Sequence, residues 1–124
     1  LYLSRHTLRY TNTGIVVDCE TELEDGVKIR IIPLPSSHSK GCLIIEVDEE
    51  YAFLADAIYP PYKDEKKVYN VQLLKEQIEI LDSLKASKFY LSHDNKPFVD
   101  KRIIVAFLKR IYEKRDKGSS TIEL

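Results

Sequence analysis

The sequence predicts an α/β (α+β) fold: a mixed, mostly antiparallel sheet with two helices on one face. Short β-branched apolar runs follow one another through the first half of the chain. The second half alternates helix, strand and helix, and proline or glycine punctuates the joints. The 124 residues suit one domain, 1–124, whose folding buries about two-thirds of the unfolded surface. With 19 Lys+Arg against 20 Asp+Glu, the net charge of -1 offers no basic face for nucleic acid. Hydrophobic residues at 44% and charged residues at 31% describe a globular chain rather than a disordered one. No apolar run approaches the ~20 residues of a bilayer crossing, so no membrane association is expected. Residues 1–10 mix charges and hydroxyls where a signal peptide needs an apolar core.

The elements follow in order. An apolar β-branched run at 14–20 leads to the turn Glu24-Asp25-Gly26, where glycine supplies positive φ. Val27-Lys28-Ile29-Arg30-Ile31-Ile32 alternates as a half-buried strand does, and Pro33 and Pro35 end it. Cys42-Leu43-Ile44-Ile45-Glu46-Val47 and Tyr51-Ala52-Phe53-Leu54-Ala55 flank Asp48-Glu49-Glu50 and read as a hairpin. A charged loop at 58–67 carries Pro60 and Pro61. Asn70 caps a helix over 71–85, whose apolar face is Leu74, Ile78 and Leu81 with Leu73, Ile80 and Leu84. Lys88-Phe89-Tyr90-Leu91 is a strand running into Ser92-His93-Asp94. A second helix spans 100–114, with Ile103, Ile104, Phe107, Leu108 and Ile111 as its core stripe and Lys101, Arg102, Lys109 and Arg110 in water. From Gly118 onward the chain reads as a fraying polar tail. Strands apolar at nearly every position want cover on both faces, and two helices cover one, so the other face needs a partner layer.

Cys19 and Cys42 are too few for a disulfide framework and read as small core residues of a cytoplasmic protein. His38, Asp56 and His93 each stand where a strand meets a loop, and side chains at adjacent strand ends converge on one sheet edge. Two imidazoles and a carboxylate suit Zn²⁺. The same residues also read as hydrogen-bonded loop histidines and a turn-capping aspartate, and spacing does not separate the two.

Ser37-His38-Ser39-Lys40-Gly41-Cys42, Phe53-Leu54-Ala55-Asp56-Ala57 and Tyr90-Leu91-Ser92-His93-Asp94 together resemble the last three metal-binding motifs of the metallo-β-lactamase superfamily. The resemblance spans about residues 14–115. It implies half of an αβ/βα sandwich and a hydrolase holding two zinc ions, with His38 in one site, His93 in the other and Asp56 bridging. Ser36-Ser37 stands where that family usually has Pro-Gly, and Lys40 replaces a frequent proline. The family's N-terminal His-x-His-x-Asp-His motif is missing, and His6 in Ser4-Arg5-His6-Thr7 reads as a loop histidine. Together with the Leu1 start, this leads to the expectation of a C-terminal half, inactive alone, whose partner is the missing N-terminal half. Asp56-Ala57-Ile58-Tyr59 with His93-Asp94 is similar to the N-acyl homoserine lactonase branch, which implies that Tyr59 reaches the substrate carbonyl during lactone or ester hydrolysis by a metal-activated water. Tyr59 packing beneath Pro60-Pro61 is the alternative, and Tyr62 and Lys63 stand near the same mouth. A different class of function also fits: a non-catalytic interaction module, or degenerate family member, that forms a homodimer through its open sheet face.

Overall fold

A computed structural model describes residues 17–93 and 95–124. The readings at residues 1–16, including His6 and the start of the first apolar run, and at Asp94 lie outside the described residues. The described chain is a mixed α+β structure in the order β1 (Thr21–Glu24), β2 (Lys28–Pro33), β3 (Leu43–Val47), β4 (Tyr51–Ala55), β5 (Tyr62–Lys63), β6 (Lys66–Asn70), α1 (Val71–Ser83), β7 (Lys88–Leu91), β8 (Val99–Asp100), α2 (Lys101–Glu113) and β9 (Thr121–Glu123). The main sheet has the order β1-β2-β3-β4-β7-β8 and is antiparallel except where β7 lies parallel to β4.

A strand turns alternate residues to opposite faces, and here the two faces have different fates. Ile44, Glu46, Ala52, Leu54 and Phe89 are all 1% exposed or less and join one core with Leu74, Ile78 and Leu81 of α1 and Ile104, Val105 and Leu108 of α2. On the opposite face Ile45 is 42% exposed and Phe53 41%, beside the exposed Leu23 and Leu43. No described element covers that face. Glu46 is tolerated in the core because Arg30 Nη1 lies 2.5 Å from its Oε1 and the Ala86 amide donates to its Oε2 at 3.1 Å.

Both helices start on side-chain caps. Asn70 accepts from the Leu73 amide at 2.9 Å, and Asp100 from the Arg102 amide at 2.8 Å. In α2 the buried stripe is Ile104, Val105, Leu108 and Ile111, whereas Ile103 and Phe107 face solvent, so the expected stripe is corrected by about one position. Residues 104, 108 and 111 share one face at helical spacing, and 103 and 107 lie about 100° round from 104 and 108, on the side that no described element covers. Lys101 is not simply in water: its Nζ donates to the Asp82 and Leu84 carbonyls at 2.9 and 2.6 Å, where α1 ends with unpaired acceptors.

The expected loop and tail are corrected too. Part of the 58–67 segment and the residues after it form a hairpin, β5 and β6, and β9 from the tail adds to β6. Asp64 and Glu65, at φ 51° and 65°, make its two-residue turn. Ile122 is buried by this pairing. The run at 17–20 is not strand, and pairing begins at Thr21.

Candidate metal centre

The topology explains why three residues distant in sequence meet. Because β7 runs parallel to β4, their C-terminal ends lie side by side, carrying Asp56 and the 92–93 turn. Because β3 runs antiparallel to β4, its N-terminal end reaches the same edge and brings the loop that bears His38. At the end of β4 the pairing register shifts between Phe53 and Ala55, and Ala55 takes φ 48°. A non-glycine residue in that left-handed region costs about 1 kcal/mol, which the surrounding pairing sustains, and it re-aims the next side chain, Asp56. The Ser92 amide donates to the Ala55 carbonyl at 3.2 Å and holds the two strand ends together.

The Asp56 carboxylate faces a different imidazole with each oxygen. His93 Nε2 lies 3.0 Å from Oδ1, and His38 Nε2 lies 3.9 Å from Oδ2. Among the described residues Asp56 Oδ1 is buried and accepts no hydrogen bond, and its contact with His93 Nε2 is an ion pair only when that imidazole carries a proton on both nitrogens. A buried carboxylate oxygen without a partner is costly, and a cation would relieve it. Two donor atoms on one tetrahedral zinc sit about 3.4 Å apart, a value that the two separations bracket. The donor set would suit zinc as two half-sites, each with two protein donors and with Asp56 common to both; among the described residues no group of three or more His, Cys, Asp and Glu side chains is placed to hold a metal ion.

The loops are fixed by residues that the sequence reading passed over. Gln77 is 2% exposed, and its Nε2 donates to the Pro35 and Ala57 carbonyls at 3.1 and 2.8 Å. It thereby ties the His38 loop and the Asp56 loop to α1. Ser36 Oγ donates to the Ala57 carbonyl at 2.5 Å and accepts from the His38 amide at 3.0 Å, while Ser37 Oγ accepts from the Asn70 amide at 2.9 Å. The Ser36-Ser37 pair thus supplies hydroxyls that brace the loop. The signal for Gln77 was present: a lone amide in the apolar stripe Leu74, Ile78, Leu81 needs a buried partner.

Beside the three residues opens a cavity of about 450 Å³ lined by His38, Asp56, Tyr59, Pro60, Pro61, Tyr62, Lys67 and His93. Tyr59 stands edge-on to the His93 ring, centroids 5.4 Å apart, and lines the cavity. Behind it, Tyr69 donates to the Ile58 carbonyl at 2.8 Å, and burial, then the neighbouring Tyr59, pushes its hydroxyl up to about 12. Lys63 does not line this cavity; Lys67, directly opposite Tyr62 across the hairpin, does. The expectation of two core cysteines is corrected: Cys19 is exposed, and Cys42 is half-buried against Ser39, both as free thiols. No protein-family profile, no curated protein and no solved structure matches this chain.

Proposed function

We propose that the intact protein is a metal-dependent hydrolase of the metallo-β-lactamase type, opening lactone or ester bonds. The observation that carries this reading is the Asp56 carboxylate, with one oxygen toward each histidine at ligand-like separation and one of them buried without a hydrogen-bond partner. His38, Asp56 and His93 would hold zinc, which supplies a water acidic enough to ionise near neutral pH and positive charge opposite a developing oxyanion. The residues of the chain do the rest. Asp56 keeps the two half-sites in register, and Tyr59 offers a hydroxyl at the cavity wall for the substrate's carbonyl oxygen. Pro60, Pro61 and Tyr62 give the acyl portion an apolar wall.

Two donors per half-site are too few for firm coordination, so the remaining ligands come from another polypeptide segment. The same segment covers the open sheet face as a second αβ layer, and the chain alone is inactive. Both thiols are free, in keeping with a reducing, cytoplasmic setting. No helix among the described residues is long and apolar enough to cross a membrane. Metal analysis and a lactone and ester assay on the full-length protein test the reading, with Asp56→Ala as control. Bound zinc and turnover lost in the variant are expected; a full-length protein that retains no metal overturns it.

The open face supports a second reading, an interaction module that pairs two copies isologously through Ile45 and Phe53. Light scattering across dilution separates the two: a chain that stays monomeric at high concentration removes this one.

A further inference from the structure

We infer that Lys67, seated against Tyr62, anchors a carboxylate at the far end of the acyl substrate, so that the substrates are acyl compounds with an anionic terminus. The inference rests on the hydrolase reading and names its substrate class. Among the described lining residues Lys67 is the one lysine or arginine of the cavity. The Tyr62↔Lys67 pair puts both side chains on the same face of the β5–β6 hairpin, and the Lys67 ammonium sits 5.8 Å from the Tyr62 ring centroid. Its neighbour Lys66 points the other way and pairs with Glu123 at 3.1 Å.

No carboxylate among the described residues pairs with Lys67, although Asp64 and Glu65 form the adjoining turn. An exposed cation over an aromatic face keeps most of its charge available, since that contact is worth about 0.5–1 kcal/mol. The backbone beneath it is fixed: the Leu124 amide donates to the Lys67 carbonyl at 2.9 Å, and the Val68 amide to that of Pro61 at 3.2 Å. A single ammonium with no second basic group beside it matches a monoanion. A phosphate dianion draws on arginine forks or several donors, and the cavity lacks them among its described residues. Tyr59, Pro60 and Pro61 line the same cavity as Lys67 and Asp56 and give apolar wall to the chain that would link the two ends.

Titration calorimetry on the full-length protein, with and without zinc, compares succinate, adipate and suberate with their monoamides. Each pair shares one carboxylate and differs in charge at the other end. At one of these lengths the dicarboxylate is expected to bind about three- to fivefold tighter, an advantage lost in Lys67→Gln and reduced by added salt. Equal affinity at every length, or an advantage that survives Lys67→Gln, overturns the proposal. Retained zinc and ester turnover without the dicarboxylate advantage would remove the anchor and leave the hydrolase standing. The advantage in a protein that holds no zinc and turns nothing over would do the reverse.

Discussion

The two faces of the main sheet are built from similar residues and have opposite environments. Ile44 and Ile45 are neighbours in β3, yet the first is fully buried under the helices and the second is 42% exposed. On β4 and β7 the same contrast separates Leu54 and Phe89 from Phe53 and Tyr90, whose rings stack with centroids 5.1 Å apart on the open side. A strand residue's chemistry thus sets what it can bury, and the layer above it decides whether it does. The open face is an apolar surface of the kind that marks an interface.

The largest effect that tests this contrast comes from deleting one aromatic ring on each side. Phe89→Ala removes a fully buried ring and should cost about 3–5 kcal/mol, read by urea unfolding. Phe53→Ala in the same chain should cost less than about 1 kcal/mol. Where a second layer seals this face, as proposed above, the Phe53→Ala cost should rise toward the core value; it stays small if nothing covers the face.

Next in size is the tie between the core and the site. Gln77→Leu keeps the apolar stripe of α1 but takes its donor from the Pro35 carbonyl and leaves the Ala57 carbonyl with Ser36 Oγ. It should cost about 1–3 kcal/mol. Because both carbonyls belong to the loops that carry His38 and Asp56, zinc affinity in the full-length protein should fall about tenfold as well. A variant that loses stability but keeps its zinc affinity would assign Gln77 to the core alone.

The smallest effect lies on the exposed rim. The Arg102 side chain, then its backbone amide, hydrogen-bonds the Asp100 carboxyl and holds it below the usual carboxylate range. Its stabilising effect is therefore complete above the unfolded value near ~4 and is lost as pH falls through the lower folded value. Circular dichroism should show α2 fraying first at its start in acid, and Asp100→Asn should keep the cap while removing that acid dependence.

Local pattern made much of this legible. The β3–β4 hairpin, the Asn70 cap, the β7 strand and the bare second face all follow from alternation, capping chemistry and the arithmetic of covering layers. The β5, β6 and β9 strands did not, because they are short and owe their order to pairing between Lys66–Asn70 and Thr121–Glu123, far apart in sequence. The stripe of α2 was misphased because Ile103 and Phe107 are as apolar as the residues that are buried. In the site, His38, Asp56 and His93 were visible as polar groups where strands meet loops, whereas Tyr59 was singled out only by the family resemblance. Ser36, Ser37, Gln77 and Lys67 were not visible, since their roles depend on which carbonyl or ring the fold delivers to them.

Zinc counted in single-residue variants of the full-length protein bears most directly on the bridging role proposed for Asp56. His38→Ala and His93→Ala should each release about one equivalent while leaving the other site filled, and Asp56→Ala should weaken both. Variants that all retain the metal content of the parent protein would contradict a shared centre on this sheet edge.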